Sequence, residues 1–421
     1  MTQEMLPALA AAGTLFIGRY ASNGWTQLAY TVTNRTAGEA AFAGYCARLA
    51  EVGFARDAVN EIGEARFATF VRDALAVHVM FYPAIGALRI VYGEQVVLPG
   101  TSEGEAFAEP IVVQPGRRAT MNAAAGQSYV IRAADGRLIV IDGGPAQAED
   151  EADLFALLRA LKPAAHIRPR VTWMFTHPHG DHLALAVRFL GAHADDIALE
   201  AVWHNFPDFK RLIDPNSAGH AAALTATLRD RYPDTPVGVF HSGQRLTMPG
   251  CAIEILFTQE DFWPNPFPTA NHTSAAWRMR FSGGATFLVL GDCEKGLCAQ
   301  MARVYGGELE SDILQLTHHG LNGATLGLYQ LIDPKICFWP LDEHRVATDG
   351  RCLGIRAASD NAGYSYTVYA DPAEPWPSYA FNSWLRETDW TRIDGSSGAR
   401  AHYPSTRTTT VRMRDLAAKE E

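Results

Sequence analysis

The residues best suited to chemistry lie together in Thr176-His177-Pro178-His179-Gly180-Asp181-His182, where a proline and a glycine separate side chains that bind metals. The apolar run Val171–Phe175 before this stretch reads as a strand, and Leu183–Leu190 after it reads as a helix. The stretch is therefore a short loop where a strand hands over to a helix. His177 and His179 alternate, so in extended backbone they project to one side. Asp181 and His182 are adjacent and point differently. That spacing suits two neighbouring ions, one on His177 and His179, the other on Asp181 and His182. Three histidines and an aspartate so closely placed exceed what hydrogen bonding in a polar loop requires.

Other candidates also sit where strands end. The runs Gln127–Arg132 and Leu138–Ile141 form a hairpin that delivers Asp142-Gly143-Gly144. A second hairpin, Trp277–Phe281 with Thr286–Leu290, delivers Gly291-Asp292, and Ile313–Thr317 delivers His318-His319-Gly320. Strand ends on one edge of a sandwich converge in space although far apart in sequence. Asp292 is expected to bridge the two ions, since one carboxylate has two oxygens. His318 or His319 would complete the second ion, and Asp142 would steady a ligand histidine. Imidazole and carboxylate suit Zn²⁺, and also Mn²⁺ or Fe²⁺. Two such ions can hold a hydroxide that attacks while they stabilise the oxygens of the transition state.

His-x-His-x-Asp-His directly after a β-run resembles the signature of the metallo-β-lactamase superfamily. The β-β-α-β order up to residue 182 is similar to the first half of that fold. Asn271-x-x-Ser274, Gly291-Asp292-Cys293-Glu294 and the run Asp312 to Gly320 resemble the corresponding domain of competence (ComEC-type) DNA-uptake proteins and related phosphodiesterases. The likeness spans residues 120 to 340. It implies an α/β fold, an αββα sandwich, and hydrolysis of a phosphodiester with Asp181, His318 and His319 as catalytic residues. The second histidine of the 318–319 pair would contact the phosphate or protonate the leaving group. The superfamily also implies a third histidine on the first metal; His272 is expected there, with His204 as its competitor. His220 and His241 are expected at the surface or in turns. The chain departs from the competence proteins in reading His-His-Gly-Leu and in lacking their membrane channel, so DNA uptake itself is not carried over. Thioester, lactone or β-lactam cleavage is the alternative chemistry, and a non-catalytic, metal-stabilised sensor or interaction module is the alternative class. A diiron redox role is disfavoured because His179 stands where such relatives usually carry a glutamate.

The rest of the chain must position these groups. At 421 residues, 48% apolar and 19% charged, it has the length and composition for two or three packed domains, or one large domain with an appendage. A formal net charge of −10 with no long basic run argues against a dedicated nucleic-acid-coating role, and the expected partner is a small-molecule or nucleic-acid phosphodiester. Six cysteines without a Cys-x-x-Cys pair fit reduced thiols in a cytoplasmic protein. The apolar run Leu6–Gly18 lacks the basic flank of a signal peptide, and no stretch reaches the roughly 18 to 20 apolar residues of a membrane span. Residues 1–115 read as a small α+β unit of strands and one or two helices, with His78 as a core histidine and 98–116 as a linker. Residues 116–345 read as the catalytic domain. Residues 346–421 read as an irregular aromatic-rich extension packed on it, the polar end from Arg407 being frayed.

Overall fold

The computed structural model describes residues 6–95, 109–115, 126–146, 150–211, 216–321, 323–334 and 336–341, with short segments at 370–371, 374–375, 393–395 and 409–413. The chain begins with β1 (Thr14–Ser22), β2 (Trp25–Val32), α1 (Arg35–Glu51), β3 (Ala55–Ile62), β4 (Ala65–Arg72), β5 (Leu75–Tyr82) and β6 (Ala87–Glu94). These strands make one six-stranded sheet in the order β1-β2-β6-β5-β4-β3, antiparallel throughout. The second half of the run Leu6–Gly18 is thus an edge strand. Every residue of β5 is buried, because both faces of the sheet are covered. On one face, Ala41, Tyr45 and Leu49 of α1, at helical spacing, pack against Leu28, Phe70, Val77 and Val79.

The next part runs β7 (Ile111–Gln114), β8 (Ser128–Arg132), β9 (Leu138–Asp142), α2 (Asp150–Leu161), β10 (Arg170–Met174), α3 (Gly180–Ala192), β11 (Ala198–His204), α4 (Asn216–Arg231) and β12 (Val237–Val239). It continues with β13 (Arg245–Met248), β14 (Cys251–Phe257), α5 (Gln259–Phe262), β15 (Ala276–Phe281), β16 (Thr286–Val289), α6 (Lys295–Tyr305), β17 (Ile313–Gln315), α7 (Leu326–Ile332) and β18 (Ile336–Phe338). The short strands β19 (Ala370–Asp371), β20 (Glu374–Pro375), β21 (Ile393–Gly395) and β22 (Thr409–Arg412) follow. Two sheets result, ordered β12-β11-β10-β9-β8-β7-β22-β21 and β13-β14-β15-β16-β17-β18. Their inner faces interdigitate through Tyr129, Ile139, Ile141 and Met174 against Ile253, Trp277, Phe287 and Val289. Outside the first sheet lie α2, α3 and α4, held by Leu154, Leu158, Phe189 and Leu224. Outside the second lie α6 and α7, with Leu297, Met301 and Leu328. This is the αββα sandwich of the metallo-β-lactamase fold. Among the described residues no helix is long and apolar enough to cross a membrane.

The sheets reach beyond the boundaries drawn from sequence. Ile111–Gln114 falls within the expected linker yet pairs with β8 in the sandwich. Thr409–Arg412, in the tail expected to fray, pairs with β7 on one side and β21 on the other. The aromatic residues Trp376, Trp384 and Trp390 lie outside the described residues.

The second face of the N-terminal sheet closes on the α6 side of the sandwich through Tyr20, Phe67, Met80 and Val91 against Leu256, Phe262 and Tyr305. The seam has a polar centre on α5. Tyr82 donates to Asp261 Oδ1 at 2.5 Å, Thr258 N donates to Oδ2 at 2.8 Å, and the Ser242 hydroxyl also donates to Oδ2. Tyr20 donates to Gln259 Oε1 at 2.5 Å and Gln27 Nε2 to the Glu260 carbonyl at 2.9 Å. Asp261→Ala leaves three buried donors without an acceptor. The expected loss is on the order of 3 kcal/mol of stability, read from urea unfolding by tryptophan fluorescence; an unchanged midpoint would show that this seam does not couple the two parts.

Candidate metal centre

The site is built where β9, β10, β16 and β17 end. β9 and β10 run parallel, as do β16 and β17, so within each sheet the carboxyl ends share an edge. Asp142 closes β9 in the left-handed region at φ 54°, which a side chain tolerates only when the surroundings enforce it. Gly143 follows because α3 passes directly beneath: a Cβ there would lie 2.6 Å from Ala186 N. The buried Asp142 carboxylate accepts from Thr176 N at 2.8 Å through Oδ1. Its Oδ2 accepts from Thr176 Oγ1 at 2.7 Å and Gln127 Nε2 at 3.0 Å, and faces His182 Nδ1 at 2.8 Å.

These bonds settle the proton positions of the histidines. A carboxylate only accepts, so His182 carries its proton on Nδ1 and turns Nε2 inward. The Thr176 hydroxyl spends its proton on Asp142, so its oxygen accepts from His177 Nδ1 at 3.1 Å, and His177 Nε2 is also left facing the site. His319 Nδ1 donates to the Pro340 carbonyl at 2.9 Å, which frees its Nε2 in the same sense. His182 Nε2 and His319 Nε2 then face each other at 3.2 Å, with His319 Nε2 3.1 Å from Asp181 Oδ2 and 3.3 Å from Asp292 Oδ2. His177 Nε2 lies 3.0 Å from His179 Nδ1 and 3.8 Å from Asp292 Oδ2.

Two donor groups therefore converge, Asp181, His182, Asp292 and His319 in one and His177, His179 and Asp292 in the other, with donor atoms within 4.8 Å of one another. Asp292 belongs to both. Its Oδ1 is buried, 3.2 Å from His182 Nε2, yet receives no well-aligned hydrogen bond. Inward-facing imidazole nitrogens, buried carboxylates and an unsatisfied carboxylate oxygen call for cations, so these residues fit a pair of divalent ions.

The electrostatics agree. Burial opposes a charged His182, but Asp292 and Asp142 outweigh it and lift the ring well above the usual histidine range. Burial likewise opposes a charged His319, and Asp292 and Asp181 push it up to about 9. His177 is held well below the usual range by burial and by His182. Asp292 titrates well below the carboxylate range although burial works the other way, because His182 and His319 stand beside it.

The remaining candidates lie elsewhere. His272 joins neither group; its Nε2 is 3.5 Å from Glu294 Oε2 and its Nδ1 3.2 Å from Thr269 Oγ1. His204 joins neither as well; it is half-buried, stacked on Phe206, and desolvation lowers it to about 4. His318 is outside both groups but borders them: its Nε2 meets Asn271 Nδ2 at 3.3 Å, and its Nδ1 is buried with no hydrogen-bond partner among the described residues. His241, expected at the surface or in a turn, opens a turn closed by Gln244 N on its carbonyl at 3.2 Å, but its side chain is buried and bonded to Glu260 Oε2 at 2.7 Å. His78 is buried in the seam, bonded to Thr69 Oγ1 at 3.0 Å. His220, also expected at the surface or in a turn, is half-buried on α4 against Gly180, where a Cβ would come within 2.7 Å of its Nε2. Thr176, Asn271 and Glu294 stood in quoted motifs without a role; only the folded contacts give them one.

Residues 121–252 match the family model of the metallo-beta-lactamase superfamily. Among curated proteins none matches the chain. Among solved structures the chain is similar to CmlA, a diiron beta-hydroxylase from Streptomyces venezuelae, at 14% identity over 64% of this chain and 52% of that one, TM-score 0.36. It is similar to the short form of human tRNase Z at 14% identity over 54% and 90%, TM-score 0.32, and to yeast PDE1 at 11% identity over 54% and 84%, TM-score 0.31. The chain spans about half the length of the hydroxylase. The family match covers the segment that carries the histidine loop, and two candidate metal-binding groups combine that loop with Asp292 and His319 from the second sheet.

Two outcomes follow from this geometry. Asp142→Asn replaces one of the two accepting oxygens by a donating NH₂, so Thr176 and His182 cannot both keep their bonds, and it is expected to weaken metal binding about 10- to 100-fold, measured by competition with a chromogenic chelator. Histidines raised above their ordinary value keep their protons at neutral pH, and a metal must displace those protons. Metal uptake there should release protons, and affinity should fall as pH is lowered; calorimetry in buffers of different ionisation enthalpy reads this, and proton-neutral binding would contradict it.

Proposed function

We propose that this protein is a phosphodiester hydrolase that works with two divalent metal ions, zinc first among them and manganese or iron(II) next. The observation that carries this reading is Asp292, a buried carboxylate shared by two sets of donors. His177, His179 and Asp292 would hold one ion, and Asp181, His182, Asp292 and His319 the other. Among the described residues no third histidine joins the first set, which leaves positions there for solvent and substrate. Bound ions would supply a water acidic enough to attack near neutral pH and positive charge for the non-bridging oxygens.

The protein's own groups do the rest. Asp142 and the Pro340 carbonyl fix the planes of His182 and His319, so neither ring has to reorganise during the reaction. Asp181, in the first turn of α3, adds a carboxylate opposite His319. His318 stands at the rim as a further donor for an anionic oxygen or the leaving group. A phosphodiester suits such a site because it brings negative oxygens to both. The likeness of Asn271-x-x-Ser274, Gly291-Asp292-x-Glu294 and His318-His319-Gly320 to competence-type phosphodiesterase motifs supports the same class.

Bis-p-nitrophenyl phosphate, a thioester and nitrocefin, each assayed with added Zn²⁺ or Mn²⁺, separate the chemistries. Cleavage of the phosphodiester is expected, with Asp292→Ala lowering the rate more than roughly 100-fold, beyond what loss of a supporting residue costs. Turnover of the acyl substrates alone would overturn the reading.

A further inference from the structure

A cavity of about 330 Å³ lies in the seam between the N-terminal sheet and the sandwich. Its walls come from both parts: Asn60, Phe67 and Thr69 of β3 and β4 on one side, Trp203, Val239 and Leu246 of β11, β12 and β13 on the other. Strand register puts the first set on one face of its sheet. Ala58, Thr69 and His78 lie opposite one another, as do Asn60 and Phe67. Among the described residues that line the cavity, none belongs to either metal group. The volume is at the lower end for ligand pockets, roughly 300 to 1,000 Å³, so it admits a small ring system rather than a whole nucleotide.

Three aromatic rings form most of the apolar lining, and each rests on a glycine. A Cβ at Gly93 would lie 2.5 Å from the Trp25 ring, one at Gly243 2.0 Å from Phe67, and one at Gly238 2.5 Å from Trp203. Rings seated this closely on backbone are held in place, so the space between them is preformed. The polar lining is fixed as well. Gln244 Oε1 accepts from His241 N at 2.7 Å, which turns its NH₂ toward His78 Nε2 at 3.2 Å. Burial, with His241 beside it, holds His78 well below the usual histidine range. The neutral ring therefore carries its proton on Nδ1 and donates it to Thr69 Oγ1 at 3.0 Å. The Thr69 hydroxyl keeps its own hydrogen to donate. Asn60 spends its NH₂ on the Gly243 carbonyl at 3.1 Å and on Glu254 Oε1 at 3.2 Å, which leaves Oδ1 as an acceptor. Asn60 and Thr69 are diagonal neighbours on the one face. The charged lining residues Asp57 and Arg245 are exposed and opposite in sign.

We propose that this cavity is a second ligand site, separate from the metal centre, for a neutral planar heteroaromatic ring that carries both a donor and an acceptor. The ring lies against Trp25, Phe67 and Trp203, while Asn60 accepts and Thr69 donates at its edge. A charged ring would lose its hydration without gaining a buried counter-ion. Because the walls belong to different sheets, the ligand ties the N-terminal sheet to the sandwich, and binding stabilises the docked form. The site does not depend on the phosphodiester reading.

The test uses the full-length protein loaded with Zn²⁺, with nicotinamide and adenine as probes, read by calorimetry and by the thermal unfolding midpoint. Each probe should bind saturably, once per chain, and raise the midpoint. Cyclohexanecarboxamide keeps the amide of nicotinamide but lacks the aromatic face, and should bind roughly tenfold more weakly. Nicotinate, which adds a charge, should be weaker by a similar, roughly tenfold factor. Ala58→Trp fills the cavity from an exposed position and should weaken both probes by more than roughly tenfold. Asn60→Ala removes the acceptor, should weaken them roughly tenfold, and serves if the tryptophan disturbs β3. Asp292→Ala, which removes the carboxylate shared by the metal groups, should leave both affinities unchanged. No saturable binding, equal affinity for cyclohexanecarboxamide and nicotinamide, or binding that survives both Ala58→Trp and Asn60→Ala overturns the proposal. Binding lost in Asp292→Ala places the probes on the metals and overturns it too.

Discussion

A carboxylate without water must find donors, and Asp142 finds its donors in the groups that make the metal site. Its two oxygens take bonds from Thr176, Gln127 and His182, in a position with no solvent exposure. From that one interaction the orientation of His182 follows directly, and that of His177 follows through the Thr176 hydroxyl. The same bonds tie the end of β9 to the end of β10 and to the first turn of α3. The local backbone is costly, with Asp142 in the left-handed region, but the bonds it permits are charge-assisted and buried.

Asp292 is the complement of Asp142 on the second sheet. It too is buried at a strand end, and Gly291 before it lets the sheets approach: a Cβ there would come within 2.8 Å of the Thr176 side chain. Asp142 orients ligands from behind, whereas Asp292 stands between them. One sheet thus supplies the histidines of the central loop. The other supplies the shared carboxylate and His319. Neither sheet holds a complete donor set, so the centre depends on the core packed between them, Met174 and Ile141 against Val289 and Ile313.

The N-terminal sheet enters through a different kind of interface. Its inner face is apolar at the edges and polar at the centre, where α5 presents Gln259, Glu260 and Asp261 in buried positions. Gln259 also donates to Asn205 Oδ1 at 2.7 Å and to the Phe206 carbonyl at 2.7 Å, so the seam continues into the segment after β11. Hydrogen bonds of this kind add little net stability but specify one docking geometry, since a shifted register strands buried polar groups.

Much of this was legible from residue order. The period-two runs and their glycine turns gave β8, β9, β15 and β16, and helical spacing gave α2 and α6, because local patterning mirrors burial on one face. The spacing in Thr176–His182 pointed to two ions, and strand-end placement singled out Asp142, Asp292, His318 and His319, because their position follows from the chain's own course. Which members of that set meet was decided only by tertiary packing. His319 turns inward while His318 turns to Asn271, a division set by two left-handed residues that neighbouring imidazoles do not announce. His272 looked well placed by chain position, but the turn at Ala270–Thr273 aims it at Glu294. The strand Thr409–Arg412 was also hidden, since a short polar segment becomes a strand only when a partner such as β7 offers its free edge.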